Sequence, residues 1–151
     1  MEFRIKQFKK PKITEATMIT GFPGIGNVGK IAIDFLIDHL KPEKIMEISS
    51  DNFPHSVFVT EQGLLELPLV RIFYKKVKNK EFVLVTGDAQ PITEEGCYAF
   101  CNKLLNIAKD LNCKEIITMG GIGLGKIPKK PKAYIAGNNK AYIKGFPNCN
   151  I

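Results

Sequence analysis

Apolar positions change period several times along this chain, and each change marks an element. The opening run MEFRIKQFKK alternates polar and apolar residues and reads as a starting strand. Residues 15–20, EATMIT, form a short apolar and β-branched run halted by Gly21, which predicts a buried strand. Val28, Ile31, Ala32, Phe35, Leu36, His39 and Leu40 then recur at helical spacing until Pro42 ends the pattern. Residues 44–49, KIMEIS, follow as another strand. Strand, helix and strand make a βαβ unit, for which a right-handed crossover and parallel strands are expected.

Three β-rich runs come next, at 56–60, 65–74 and 81–86, joined by EQG at 61–63 and by a lysine-rich loop at 75–80. Such short links predict an antiparallel meander. From Thr93, a suitable N-cap, the positions Cys97, Cys101, Leu104, Leu105, Ala108 and Leu111 build a second amphipathic helix ending near Asn112. Residues 115–119 read as a further buried strand closed by GGIGLG at 120–125. Residues 132–137 and 140–144 read as short strands around Gly-Asn-Asn. The expectation is one α/β domain over residues 1–151 with a mixed, largely parallel central sheet.

Length agrees with this, since 151 residues suit one core and no linker or low-complexity stretch divides them. The apolar stretches are interrupted well short of the roughly 20 residues needed to cross a bilayer, so no membrane partner is expected. Cys97, Cys101, Cys113 and Cys149 contain no CxxC pair and no tight framework, which points to a reducing cytoplasm and to no metal site. The formal charge of +7 suits acidic partners. Its lysines fall in separate clusters at 9–12, 75–80 and 126–132 that mark loops and strand ends, without interleaved aromatics, so nucleic acid is disfavoured and a solvated, heat-tolerant surface is the expected cause of the charge.

Parallel strands at 15–20, 81–86 and 115–119 would bring three turns to one sheet edge, where ligands of open α/β proteins usually sit. That edge offers Gly24, Gly26, Asn27, Gly29, Asp88, Gln90, Gly121 and Gly123 as candidate ligand or anion contacts. The first turn contains a formal GxGxxG at 24–29, with Glu47 roughly 20 residues on, as a dinucleotide fingerprint asks. Phe22 and Pro23 intervene after the strand, however, and Pro23 removes a backbone donor. The same residues approach a phosphate-binding loop, but Ile31 stands where a hydroxyl must hold Mg²⁺. Glycines here also serve close helix-to-strand packing. Asp88 has no acid, base or nucleophile beside it in sequence, and His39 and His55 stand alone, so no catalytic residue is assigned.

Taken in order, GFPGIGNVGK at 21–30, LVTGDAQP at 84–91 and EIITMGGIGLG at 115–125 resemble the proteasome assembly chaperone family in its archaeal branch. The resemblance runs from about residue 15 to about residue 137. It implies a three-layer α/β sandwich similar to purine nucleoside phosphorylases, assembly into homo-oligomers, and binding to proteasome α subunits or the core particle. It also implies no enzymatic activity and no cofactor. Family members often dock through a C-terminal tail with a penultimate tyrosine; here Asn150 stands in that place, and most relatives continue into further helical sequence. Either a short member or a truncated product lacking the family's C-terminal extension is therefore expected, without docking through the tail. The alternative is a small-molecule or nucleotide-binding protein, or an enzyme, working at the glycine-rich edge.

Overall fold

The structure, a computed structural model, describes residues 2–125 and 129–150. The starting strand is β1 (Phe3–Gln7), followed by β2 (Ala16–Gly21), a single 3-10 turn at Ile25–Asn27, and helix α1 (Val28–Leu40). Then come β3 (Glu43–Ser50), β4 (Phe58–Val59), β5 (Leu65–Glu66), β6 (Val70–Val77) and β7 (Lys80–Gly87). Helix α2 (Glu94–Asp110), β8 (Cys113–Met119) and the short α3 (Lys140–Ile143) complete the chain. Six strands form one sheet in the order β1-β3-β6-β7-β2-β8, while β4 and β5 pair apart as a two-stranded arm.

The sheet is mixed, but it is not largely parallel. Pairings β1–β3, β3–β6 and β6–β7 are antiparallel, and only β7–β2 and β2–β8 are parallel. β2 and β3 do point the same way, yet β6 and β7 lie between them. The cause is local: β6 and β7 zip together through a two-residue turn at 78–79, and that hairpin fills the gap the crossover leaves. The predicted loop at 75–80 is accordingly strand up to Val77, with Lys78 in the left-handed region at φ 54°.

Neighbouring strand residues point to opposite faces, and the two long helices use this. On one face, Met18, Val83 and Val85 meet Phe100, Ile107, Ala108 and Leu111 of α2 in a shared core with Ile48, Val70 and Ile72. Fully burying each such aliphatic side chain contributes about 1.5–3 kcal/mol. On the other face, α1 lies across β2, β7 and β8 and buries Ile33. α1 ends where Lys41 turns left-handed and Pro42 cannot continue. Thr93 caps α2 as expected, its hydroxyl accepting from the Gly96 amide.

Three expectations are corrected. Cys97, Cys101 and Leu105 lie on the outer side of α2, because Phe100, Leu104, Ile107, Ala108 and Leu111 form the stripe that docks. β8 is an edge strand with alternate residues exposed, including Ile116, where a buried strand was expected. Residues 132–137 make a lone bridge, Tyr134 to Asn150, and 140–143 are helical because Asn139 Oδ1 accepts from the Ala141 and Tyr142 amides.

One buried carboxylate closes the end of the sheet away from the glycine turns. Glu81 accepts from Tyr74 Oη at 2.6 Å and from the Thr14 and Glu15 amides at 2.9 and 3.1 Å. Those bonds, Tyr74's first, hold its carboxyl below the usual range, and the same partner pushes Tyr74 up to about 12. A depressed carboxylate stabilises the fold above its unfolded pKa of about 4.3 and loses that contribution as pH falls through the folded value. Thermal melts of wild type and Glu81→Gln should therefore differ most at neutral pH, with the gap starting to close as pH falls below about 4.3 and vanishing only below the folded value. A gap unchanged down to acid would refute the assignment.

Candidate functional site: the glycine-rich edge

The three turns do meet on one edge. β7, β2 and β8 run parallel, with Gly21 opposite both Thr86 and Met119, so segments 21–29, 86–91 and 120–125 leave the sheet side by side. Gly24, Gly26, Asn27, Gly29, Asp88, Gln90, Gly121 and Gly123 are thus gathered by the fold. What each does there is now visible.

Three of the glycines at this edge are contact points. A Cβ on Gly21 would overlap the Gly29 carbonyl oxygen, and a Cβ on Gly29 would overlap the Met119 carbonyl oxygen. β2, the start of α1 and the end of β8 are thereby stacked backbone to backbone. Gly121 is pressed in the same way against the Ile25 carbonyl. Gly24 and Gly123 line the outside of the turns with room around them. Asn27 takes φ 51° to bring the chain into α1, and its side chain makes no capping bond.

The dipeptide that spoils the dinucleotide pattern also has a structural reason. Phe22 reaches the α2 side of the sheet and packs edge-on against Phe100, with ring centroids 5.5 Å apart. Phe53 and Phe3 meet the same ring at 5.9 and 5.8 Å. The Pro23 carbonyl accepts from Gln90 Nε2, tying the first turn to the second. Glu47 pairs with Lys44 on β3, three strands from β2, and so cannot serve a ribose at this edge.

Lys30 and Asp88, the charged groups of these motifs, are both engaged. Lys30 Nζ lies 2.6 Å from Asp34 and 3.1 Å from Thr86 Oγ1, and that hydroxyl donates to Asp34 at 2.9 Å. The lysine thus fastens α1 to β7 and does not face the turn. Asp88 accepts from Arg71 Nη1 at 2.7 and 2.8 Å and from the Leu69 amide at 3.1 Å. This is a half-buried structural ion pair, in which Asp88 caps neither a turn nor α2. Removing it through Asp88→Ala leaves the Arg71 guanidinium with only the more distant Glu66 carboxylate at 3.8 Å, and a fall of about 1–3 kcal/mol in unfolding free energy is expected in urea titration. An unchanged midpoint would show the pair to be dispensable.

Reading by sequence missed Lys30, Asp34 and Arg71 as partners. Lys30 and Asp34 carried a signal in their four-residue spacing on one helix. Arg71 carried none without the β6–β7 register, which sets it opposite Thr86. Cys113 is inert at neutral pH, burial pushing its thiol up to about 11.

The surface beyond these turns is apolar. On α1, Val28, Ile31 and Phe35 are exposed along one stripe and line a shallow groove with Met119. The β4–β5 arm carries six exposed apolar side chains: Val57, Phe58, Val59, Leu64, Leu65 and Leu67. A two-stranded hairpin is marginal by itself in water, and contiguous exposed apolar patches mark interaction surfaces. Among the described residues, no helix is long and apolar enough to cross a membrane.

A mixed six-stranded sheet between two long helices, closed by glycine turns on one edge, places the molecule in the class of α/β proteins that includes archaeal proteasome assembly chaperone homologues. It is similar in structure to Pyrococcus furiosus PbaB, described as an archaeal proteasome activator. The TM-score is 0.89 at 32% identity, covering 97% of this chain and 62% of that one. PbaA of the same organism, described as an archaeal homolog of proteasome-assembly chaperone, shares the fold. There the TM-score is 0.76 at 22% identity over 99% of this chain and 63% of the other. An uncharacterised protein of Methanocaldococcus jannaschii is 31% identical over 139 residues, 92% of this chain and 54% of its own length. The PAC2 family model matches residues 18–148, and the chain belongs to the PAC2 family. It spans between about half and two thirds of the length of these relatives.

Proposed function

We propose that this chain is a non-catalytic, chaperone-like cytoplasmic protein that binds proteasome α subunits, or the core particle, as a homo-oligomer. Similarity to PbaB, described as an archaeal proteasome activator, supports the proteasome context. The observation that carries the mode of action is the apolar β4–β5 arm, a surface that suits another protein better than it suits water. The site geometry supports the same reading. Gly21, Gly29 and Gly121 are used in backbone packing, and Lys30 and Asp88 are held in ion pairs, so the sequence motifs are accounted for without a bound ligand.

The test is direct. Incubation with core proteasome α subunits, followed by size-exclusion chromatography, should give co-elution with free α subunits, α rings or the assembled particle. Separate elution from all three would overturn the assignment.

A further inference from the structure

Two lysine clusters that lie far apart in sequence meet at the end of the sheet opposite the glycine turns. The Phe8 and Lys9 amides both donate to the Ile45 carbonyl, which sets the chain after β1 beside the start of β3. Glu43 at that start is opposite Tyr74, so the end of β6 and the turn at 78–79 project past it, and Lys75 Nζ donates to the Lys41 carbonyl at 3.3 Å. The Thr14 amide reaches Glu81 at the start of β7, bringing Lys12 to the same end. Segments 8–15, 41–47 and 74–81 together contain nine lysines and four glutamates.

Three of those glutamates are already engaged: Glu43 by Lys9, Glu47 by Lys44, and Glu81 by Tyr74 and two amides. Lys10, Lys12, Lys41, Lys76, Lys78 and Lys80 are exposed, and none forms a salt bridge among the described residues. Within this positive field stands one exposed aromatic ring. Phe8 is 41% exposed and has Lys44 Nζ 4.8 Å and Lys6 Nζ 5.2 Å from its centroid. An exposed apolar ring at a sheet end that also carries six lysines without a salt bridge is complementary to a chain that alternates carboxylates with apolar residues.

We propose that this lysine-rich end of the sheet, centred on Phe8, is a docking site for an acidic peptide segment of a partner protein. It is independent of the proteasome reading and lies on a different surface from the β4–β5 arm. Nucleic acid is the poorer fit. The patch is built of strand ends and a hairpin tip with one aromatic, not a row of stacking rings along a groove. The two arginines of the chain, the side chains best shaped for phosphate, are paired elsewhere, Arg4 with Asp51 and Arg71 with Asp88.

Fluorescence anisotropy with a labelled glutamate–leucine copolymer peptide, alongside a single-stranded DNA of equal length, tests the site. Peptide binding at low salt is expected to weaken as salt rises and to fall by about tenfold or more in Lys12→Glu/Lys78→Glu/Lys80→Glu. The charge-matched variant Lys129→Glu/Lys130→Glu/Lys132→Glu, altered on the segment beside β8, is expected to bind as wild type. Phe8→Ser keeps every charge and should weaken the copolymer more than a pure poly-glutamate peptide. Absence of peptide binding would overturn the proposal. So would equal loss in both triple variants, which would make net charge the cause, or tighter DNA binding lost in the same variant. Should the first triple variant not fold, the salt series, the second triple variant and Phe8→Ser still decide.

Discussion

Gly29→Ala is expected to lower the unfolding midpoint by about 6–12 °C, because overpacking against atoms that cannot yield costs about 3 kcal/mol and each kcal/mol moves a protein of this size by about 2–4 °C. The added methyl would overlap the Met119 carbonyl oxygen, with the Met119 carbonyl carbon 2.9 Å away. Those are backbone atoms of a strand end held parallel to β2, so no rotamer change relieves the contact. Moving α1 outward instead would open the Lys30–Asp34–Thr86 network and uncover Ile33. Gly120→Ala supplies the control: no atom lies within 4 Å of its added methyl, and its midpoint should stay close to that of wild type. Calorimetry on the pair decides the matter. Equal midpoints would mean that the glycine at 29 is there for something other than close packing.

The second large effect is expected on the β4–β5 arm. Val59→Asp combined with Leu65→Asp, at positions 69% and 71% exposed and directly opposite each other in the hairpin, should leave the melting curve of the protomer nearly intact. Light scattering should nonetheless report protomers where wild type reports an oligomer, and co-elution with α subunits should disappear. Two carboxylates placed in a dry contact surface carry a desolvation cost of several kcal/mol, ample to dissociate an assembly of ordinary affinity. An oligomer that survives the double substitution would move the contact surface elsewhere, with the stripe of Val28, Ile31 and Phe35 next in line.

Much of the fold was legible because its central elements are local and strongly periodic. β2, the glycine turn and α1 follow one another with an apolar run, a stop and a 3.6-residue stripe, and each stands where the pattern predicts. α2 shows where periodicity runs out. Cys97, Cys101 and Leu105 share helical spacing with each other, as do Phe100, Leu104, Ile107 and Leu111, and only the aromatic partners Phe3, Phe22 and Phe53 select the second set. Strand order was hidden for a related reason: the β6–β7 hairpin inserts beside β2 through pairings remote in sequence. The tripeptide Ala-Tyr-Ile makes the point most compactly. At 133–135 it forms a bridge with Asn150, and at 141–143 it is helical, because only the second copy follows a capping asparagine.

The candidate site divides in the same way. The glycines were visible as a motif, but their purpose depends on which backbone passes within contact distance. Asp88 was visible as a lone carboxylate, and it ceased to be lone only when antiparallel register brought Arg71 alongside. The basic pole was unreadable from sequence because its clusters, separated by more than 60 residues, converge only after β1, β3 and the hairpin pair.

The apolar arm has one more consequence, and it concerns temperature. Contacts made by aliphatic side chains are driven near 25 °C almost wholly by the entropy of released water, and they weaken on cooling. An assembly joined through Val57, Val59, Leu64 and Leu65 therefore tightens as it is warmed, up to the point where the protomers themselves melt. For such an assembly, dilution in the cold is the expected route to single subunits.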